Sequence, residues 1–222
     1  AGINYIYDRI YMENTDTVFQ NVYARAKGDV AVKKIILDAQ ASIGLIGYNL
    51  GDYLLKTNLH TDLKGFVIKG TFLSQLAEPS FSQKIYQAIA QSWNNNFKKI
   101  SVNQLSGAAS YTKKNHKLKA NIIAESTLGM VYFTPNIGAV QYNDLVTLLQ
   151  TGASYVYTTT MFGTEATLLF QNSSNQQVLP RPSTSATGNI YTRFHLFKKN
   201  LGVQVGARAF WYSAFNSPVY NP

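Results

Sequence analysis

The sequence has no cysteine and little charge. With no Cys among its 222 residues, neither a disulfide framework nor a thiolate metal site can form. Only 14% of the residues are charged, whereas about a quarter is typical of a soluble domain. The charge that remains is mostly positive, with 20 Lys and Arg against 11 Asp and Glu and a formal net charge of +9. This shortage of charge indicates that part of the surface faces a non-aqueous neighbour.

Long apolar runs are missing as well. The longest uncharged stretch, residues 145–163, reads LVTLLQTGASYVYTTTMFG and contains too many Thr, Gln, Ser and Tyr for a lipid-exposed helix. The first residues, AGINYIYDRIYMEN, have neither the basic nor the apolar region of a signal peptide. We therefore expect no transmembrane helix, and either a mature chain or a fragment.

What the sequence does have is an alternation of apolar and polar residues with a period of two, which is typical of β-strands. Strand-like runs cover residues 2–11, 17–26, 30–45, 53–61, 65–75, 98–111, 117–133, 143–160, 164–172, 188–198 and 202–213. A tilted strand of about 9–11 residues crosses a bilayer, whereas strands of globular proteins have about 5–6. Most of these runs have the longer length. Residues 81–93 differ, because near-helical spacing there predicts either a short helix or an irregular loop that packs over or into a barrel mouth.

The connections between these runs alternate in length. The short ones are AKGD, TDLKG, YTKKNHK, TMFG and KKNLG. The longer ones are MENTDT, GYNLGDY, residues 76–97, TPNIGAVQYND and NSSNQQVLPRPSTSATG. A meander with tight turns at one end and long loops at the other is the plan of a transmembrane β-barrel.

Each predicted strand has one apolar and one polar face. A turn centred on Lys114 and Asn115 sets Leu105, Gly107, Ala109 and Tyr111 beside Ala124, Ile122, Ala120 and Leu118, so the apolar faces of the two strands coincide. We expect the apolar faces to point into lipid. The side chains that define this prediction are Ile35, Leu37, Ile43, Ile68, Ile122, Leu128, Val203 and Val205.

The last predicted hairpin raises an electrostatic question. With Asn200 and Leu201 at the centre of its turn, Arg193 lies opposite Arg208. Like charges directly opposite on a sheet are unfavourable, but water between them reduces the repulsion to about 1 kcal/mol. Such a pair therefore favours a water-filled lumen beside this face.

No motif for catalysis or cofactor binding is present. His60, His116 and His195 are the only histidines, and none has a nucleophile or acidic partner at a recognisable spacing. We predict no enzymatic activity, no metal site, no cofactor and no nucleic-acid partner, because cation-binding clusters, phosphate loops and RNA-binding motifs are all missing from the sequence.

Several loop phrases are similar to those of a known family. YMENTDTVFQNVYA, GYNLGDY, LAEPSF, WNNNFKKI, NSSNQQVLPRPS, HLFKKNLGVQVGARAFWYSAF and SPVYNP, in that order, resemble the C-terminal half of the putative porins of Bacteroidetes outer membranes. The resemblance extends over nearly the whole chain and implies an interior piece of a larger barrel. The phrases have no catalytic meaning, so the resemblance assigns no functional residue.

We therefore predict an all-β protein: residues 1–222 form a single region of a transmembrane, antiparallel up-and-down β-barrel, as a fragment of about eleven strands. Its predicted function is passive diffusion of small solutes across a bacterial outer membrane, with a preference for anions. The predicted pore-lining residues are Arg25, Lys34, Asp38, Lys56, Lys69, Lys119, Glu125, Arg193, His195 and Arg208. Expected partners are outer-membrane lipid, small anionic solutes and other outer-membrane proteins. Two alternatives stay open: a plugged barrel that serves as a structural or docking subunit, and a soluble all-β module with a sandwich core.

Overall fold

The computed structural model describes residues 1–12, 15–88, 92–134 and 138–216, and for residues 8–12, 15–17 and 199 it describes the backbone only. Nearly all of the described chain is antiparallel sheet, with one four-residue helix and one short 3₁₀ turn. The strands are β1 (Gly2–Met12), β2 (Thr15–Val32), β3 (Ile35–Ile46), β4 (Tyr53–Leu63), β5 (Phe66–Ala77), β6 (Ile85–Gln87), β7 (Ser92–Asn94), β8 (Ile100–Lys113), β9 (His116–Thr134), β10 (Gly138–Thr158), β11 (Phe162–Ser173), β12 (Thr184–Leu196) and β13 (Leu201–Tyr212). Helix α1 (Phe81–Lys84) precedes β6, and the 3₁₀ turn (Phe197–Lys199) follows β12.

Eleven long strands form one sheet in the order β1-β2-β3-β4-β5-β8-β9-β10-β11-β12-β13, and β6 and β7 form a separate hairpin. The prediction of an all-β antiparallel fold with eleven strands is therefore confirmed. The sheet is open, with β1 and β13 at its edges.

Successive strands are antiparallel neighbours, so the connections alternate between the two ends of the sheet. The short connections, at residues 33–34, 64–65, 114–115, 159–161 and 197–200, lie at one end, which we call the turn end. The connections at residues 47–52, 78–99 and 174–183 lie at the opposite end, which we call the loop end. For these connections the predicted separation of tight turns from long loops is confirmed. Residues 13–14 and 135–137, which join β1 to β2 and β9 to β10 at the loop end, lie outside the described part.

Three predicted connections were wrong. MENTDT, residues 12–17, is not a long loop, because β1 extends to Met12 and β2 begins at Thr15. AKGD, residues 26–29, is not a turn, because β2 continues to Val32 and the turn is formed by Lys33 and Lys34. The alternation of faces continues unbroken through this stretch, and β3 pairs with each of its residues. TPNIGAVQYND is not a long loop either, because β10 already begins at Gly138 and passes through a β-bulge between Tyr142 and Leu145.

The register of the hairpin between β8 and β9 was predicted correctly. Lys113 pairs with His116 across a two-residue turn, and Leu105 lies opposite Ala124 as expected. The last hairpin was predicted with the wrong register: Arg193 lies opposite Gln204, and Arg208 lies opposite Asn189. The reason is a four-residue connection, in which Phe197 and Lys198 both have positive φ, in place of a two-residue turn at Asn200 and Leu201. The shift of four residues leaves each side chain on its predicted face.

Residues 81–93, predicted to be either a short helix or an irregular loop, contain a short helix and part of a small hairpin. Residues 81–84 form α1, which is followed by the small hairpin of β6 and β7, and residues 89–91 lie outside the described part. Within the described chain, no second large sheet covers the eleven-stranded sheet. A sandwich core, the basis of the soluble alternative, is therefore not seen there.

Candidate functional site: the polar face of the sheet

Side chains of directly paired residues point to the same side of a sheet, so the register defines its two faces. One face carries most of the charged and amide side chains of the strands, and we call it the polar face. Its members include Arg25, Lys27, Asp29, Asp38, Gln40, Lys56, Asn58, His60, Lys69, Thr71, Gln104, Lys117, Lys119, Asn121, Glu125, Gln150, Glu165, Gln171, Asn189, Tyr191, Arg193, His195, Gln204 and Arg208.

The predicted pore-lining residues can be placed on this framework. Arg25, Asp38, Lys56, Lys69, Lys119, Glu125, Arg193, His195 and Arg208 all lie on the polar face. Lys34 does not, because it belongs to the turn between β2 and β3. Its placement followed from treating residues 30–45 as one strand.

Sequence reasoning missed further charged members of this face. Lys27 and Asp29 were assigned to the AKGD turn, but they lie within β2, opposite Gln40 and Asp38. Lys117 and Glu165 lie near the turn end of the face. The sequence contains a signal for Lys27 and Asp29. Charged residues recur at every second position, at Arg25, Lys27 and Asp29, although Gly28 between them is a residue typical of turns.

Two carboxylates of the polar face, Asp38 and Glu125, are bound by neutral side chains. The Asn58 amide donates a hydrogen bond of 2.8 Å to Asp38 Oδ1, and the Thr71 hydroxyl donates one of 2.9 Å to Asn58 Oδ1. Three strands are linked in this way. The Gln104 amide donates a hydrogen bond of 2.9 Å to Glu125 Oε2.

The lysines of the same face are not engaged. Lys56, Lys69 and Lys119 form no ion pair within the described residues. Lys69 and Lys119 line one recess of about 240 Å³, together with Ala108, Ser110 and Asn121. Because the recess is lined by two lysines and no carboxylate, its charge is positive.

Arg193 is held by its neighbours rather than opposed by a second arginine. Its Nε donates a hydrogen bond of 2.8 Å to Gln204 Oε1, and its guanidinium lies 4.8 Å from the ring centroid of Tyr191. The Tyr191 side chain is only 7% exposed. It packs over Gly163 and Gly206, where an added Cβ would lie 2.6 Å from Tyr191 Cε2 and 2.7 Å from Tyr191 Cβ, respectively. The two glycines therefore leave the space that the tyrosine fills.

Residues 78–99, which connect β5 to β8, pack against the loop end of the polar face, and we call this segment the inner loop. The Phe81 ring lies 5.0 Å from that of Phe19, which belongs to the polar face of β2. Phe19 also contacts Tyr48, with ring centroids 4.9 Å apart. The Tyr48 hydroxyl donates a hydrogen bond of 2.7 Å to the carbonyl oxygen of the buried Pro79.

An ionic cluster fixes the first part of the inner loop. Asp52, which is 7% exposed, accepts the backbone N–H of Glu78 at 3.0 Å and forms an ion pair with Lys99. Glu78 forms a second ion pair, with Lys84. Burial, together with the nearby carboxylates of Glu78 and Asp52, raises the pKa of Tyr48 to about 12.

The second part of the inner loop is attached to β9 and β10. The Gln141 side chain accepts the backbone N–H of Lys98 at 2.8 Å and donates to the Lys98 carbonyl at 2.7 Å. The Asn95 amide donates a hydrogen bond of 3.0 Å to the carbonyl of Ala139. The Trp93 ring stacks on Tyr86 at 4.5 Å. The inner loop connects β5 to β8, and it is thus anchored to β2 on one side of these two strands and to β10 on the other.

The opposite face of the sheet, which we call the apolar face, is exposed although it is rich in large hydrophobic side chains. Leu105 is 63% exposed and Ile122 is 50% exposed. Of the side chains predicted to point into lipid, all but the half-buried Val203 are exposed. A sheet of a water-soluble protein normally buries its apolar face on a core.

Chemistry on the apolar face changes between the two ends. At the turn end, Phe66 stacks on Tyr111 with ring centroids 4.3 Å apart, and His116 Nδ1 lies 2.8 Å from the Tyr155 hydroxyl. With Tyr157 and Phe162 these residues form an aromatic band. At the loop end, Ser74, Asn103, Ser126 and Thr147 form a polar row across the paired strands.

The height of the apolar part of this face can be estimated on β8. Asn103 and Tyr111 are separated by eight residues of strand, or about 26 Å at roughly 3.3 Å per residue. At the tilt of about 35–45° that is usual in membrane barrels, this corresponds to roughly 20 Å. Outward apolar bands of such barrels are about 25 Å tall.

No helix in the described ranges is both long and apolar enough to cross a membrane. No group of three or more His, Cys, Asp or Glu side chains suited to hold a metal ion occurs among the described residues.

Comparison with known proteins identifies the family. The family described as "Putative porin" matches residues 3–222, essentially the whole chain. No curated protein matches the chain.

Proposed function

The chain belongs to the putative porin family, and from this premise we propose that its sheet is part of the wall of a transmembrane β-barrel that lets small solutes diffuse across a bacterial outer membrane. The family implies an outer-membrane, porin-like protein. One observation carries the proposal further: the polarity of the sheet is the reverse of that in a soluble protein, with large apolar side chains such as Ile122 exposed and charged side chains on the opposite face. Outward apolar and inward polar residues are the pattern of membrane barrels.

In this proposal the polar face lines a water-filled lumen. The lining residues are Arg25, Lys27, Asp29, Asp38, Lys56, His60, Lys69, Lys117, Lys119, Glu125, Glu165, Arg193, His195 and Arg208. The free lysines support a preference for anions, because Asp38 and Glu125 are bound by neutral amides while Lys69 and Lys119 have no carboxylate partner in the described chain. Rings of Lys and Arg bias a pore toward anions.

The inner loop supports a second candidate. Its attachment to β2 through Phe19 and to β10 through Gln141 favours a narrowed lumen, and a fully closed one would make the barrel a structural or docking subunit of an outer-membrane complex. The two candidates differ in one property, the passage of ions.

Conductance of the full-length protein in planar lipid bilayers decides between them. A pore gives discrete ohmic steps at each insertion, whereas a plugged docking subunit inserts without steps. Insertion is checked independently by resistance of the reconstituted protein to alkaline extraction from vesicles. A protein that inserts and conducts no ions would overturn the pore.

The proposed preference for anions has its own test. Replacing Lys56, Lys69 and Lys119 together by Gln is expected to lower the anion-to-cation permeability ratio, measured as a reversal potential in a salt gradient. The matched control replaces Lys33, Lys64 and Lys114 by Gln, which removes the same charge from the turn end. An unchanged ratio in the first variant would contradict the proposed role of these lysines.

A further inference from the structure

The turn end carries a repeated feature that the pore does not explain. Four of the five short connections contain a lysine with positive φ: Lys33 at 55°, Lys64 at 50°, Lys114 at 52° and Lys198 at 53°. In the first three, the lysine is the first residue of a two-residue turn between paired strands. A second lysine is adjacent in three of the four connections, as Lys34, Lys113 and Lys199.

Lysine is an unfavourable residue for this backbone conformation. Gly, Asn and Asp are the residues that hairpin turns usually place at positive φ, since Gly has no Cβ and the short polar side chains of Asn and Asp tolerate this conformation. Glycine occupies the second position of the turn at Lys64, where Gly65 also has positive φ, but lysine recurs at the first positive-φ position of all three two-residue turns. Local backbone preference therefore does not account for the repetition.

The side chains of these lysines are exposed and unpartnered. None of the four forms an ion pair or a side-chain hydrogen bond within the described part of the chain. A role in holding the turns together is thus not supported. The charge is available to an external anion.

The turn lysines lie at the border of the apolar face, and this position indicates what surrounds them. Lys64 lies two residues before Phe66, and Lys114 lies two residues before His116, so both lysines border the aromatic band at the turn end. Aromatic bands of membrane barrels lie at the boundary between hydrocarbon and headgroups. If the apolar face is in lipid, as the proposed function requires, the lysines lie at the level of the lipid headgroups.

The spacing of the lysines favours separate ligands. Lys33, Lys64 and Lys114 occupy every second connection of neighbouring strands, and strands lie about 4.7–4.9 Å apart. Adjacent turns are therefore roughly 10 Å apart, which leaves room for each lysine to meet a headgroup of its own. A row of single headgroups, each with its own phosphate, fits this spacing.

We propose that the turn lysines Lys33, Lys64, Lys114 and Lys198 form a basic ring that binds anionic phospholipid headgroups in the leaflet at the turn end. Because tight turns of bacterial barrels are periplasmic, this is the periplasmic leaflet. The ring selects the lipids around the barrel and opposes its displacement along the membrane normal. The inference rests on the proposed membrane location, but not on whether the barrel conducts.

Electron spin resonance of spin-labelled lipids tests the ring. The full-length protein is reconstituted in phosphatidylcholine bilayers, and association of labelled phosphatidylglycerol is compared with that of labelled phosphatidylcholine. We expect phosphatidylglycerol to associate about fivefold more strongly at the sites beside the turns, since a Lys at an anionic membrane surface contributes about 1 kcal/mol. The preference should disappear in 1 M salt, where the Debye length is about 3 Å.

Two variants separate the ring from general charge. Replacing all four lysines by Asn, which tolerates positive φ, should lower the ratio clearly, and replacing them by Arg should retain it. The matched control removes equal charge from the polar face and should retain the preference. It combines Lys56→Asn, Lys69→Asn, Lys117→Asn and Lys119→Asn. If the fourfold Asn variant fails to insert, the ring is tested by the lipid preference of the single variant Lys64→Asn and by the salt dependence of the preference in the unmodified protein.

Equal association of both lipids with the unmodified protein would overturn the ring, as would an undiminished preference in a folded Asn variant. Conductance measured on the same preparations keeps the two proposals apart. A protein that conducts but shows no lipid preference contradicts only the ring, and one that shows the preference but does not conduct contradicts only the pore.

Discussion

At the scale of single residues, glycines decide where the large side chains of the polar face lie. Tyr191 is buried because Gly163 and Gly206, its neighbours across the sheet, have no Cβ. The buried ring in turn supports the guanidinium of Arg193. The position of one arginine in the proposed lumen thus depends on two residues without side chains.

Gly163→Ala should displace the Tyr191 ring and release Arg193. The added Cβ lies within 2.6 Å of Tyr191 Cε2, and overpacking of this kind typically costs about 1–3 kcal/mol. The free energy of unfolding in detergent or vesicles measures the loss. Gly188→Ala is the control, because nothing lies within 4 Å of its Cβ position. Equal effects of the two substitutions would contradict this account of Tyr191.

Tyr48 predicts a pH dependence at the loop end. Its pKa is raised to about 12 in the folded protein from an ordinary value near 10, so the neutral phenol is favoured by folding. This contribution is fully present below about pH 10 and is lost as the pH rises toward 12. The difference in phenolate absorbance between the unmodified protein and Tyr48→Phe should show one phenol that titrates near pH 12. If the phenol that Tyr48→Phe removes titrates near pH 10 instead, the burial of Tyr48 is contradicted.

At the scale of elements, hairpins differ in how well their sequence predicts their register. The turn at Lys114 and Asn115 brings the apolar faces of β8 and β9 together, and the structure has the predicted register. In the last hairpin the faces match in registers four residues apart, so the pattern alone does not choose between them. The structure selects a connection in which Phe197 has positive φ, a conformation that is rare for a bulky residue.

The backbone of the turn at Lys114 supplies a direct test of turn strain. Lys114→Asn should stabilise the protein by about 0.5–1 kcal/mol, because the left-handed conformation is unfavourable for most residues and Asn tolerates it. The adjacent Lys113→Asn is the control, since Lys113 belongs to β8 and has no positive φ. Urea-induced unfolding measures both. A stability unchanged by Lys114→Asn would mean that the turn is not strained.

The inner loop could not be predicted from sequence. Its contacts join residues far apart in the chain, such as Tyr48 to Pro79 and Lys98 to Gln141, and no periodic pattern connects them. Period two, by contrast, predicts the face of a residue within a strand wherever no bulge interrupts the strand, as the one between Tyr142 and Leu145 does. The strand-borne part of the candidate site was therefore predictable, apart from Lys27 and Asp29 in the turn-like AKGD stretch, whereas the loop that packs on it was not.

Asp52→Asn should loosen the inner loop. The substitution removes the charge that pairs with Lys99 and leaves the Glu78 N–H with a weaker acceptor, which costs about 1–3 kcal/mol. Tryptic cleavage within residues 78–99 should accelerate about fivefold or more, because cleavage of a fast-opening segment follows its opening equilibrium. Asp62→Asn, at an exposed carboxylate of β4, is the control. Equal cleavage rates in both variants would mean that Asp52 does not anchor the loop.

At the scale of the whole molecule, the central feature is a single sheet with reversed polarity. Its exposed apolar face is bounded by an aromatic band at the turn end and by a polar row at the loop end. Its polar face carries free lysines and a firmly attached inner loop. Composition alone indicated a non-aqueous neighbour, and the alternation of faces indicated which side meets it. The described sheet is open, so the closed barrel belongs to the proposed function.

The most direct measurement of the central claim compares arginine at two adjacent positions of β9. Ile122 lies on the apolar face and is 50% exposed, and Asn121 lies on the polar face. Unfolding of the full-length protein reconstituted in phospholipid vesicles should show Ile122→Arg to be less stable by about 2–4 kcal/mol, the cost of Arg near the bilayer midplane, and Asn121→Arg to be nearly unchanged. If both substitutions are tolerated equally, as expected for two exposed residues in water, the apolar face does not meet lipid and the account fails.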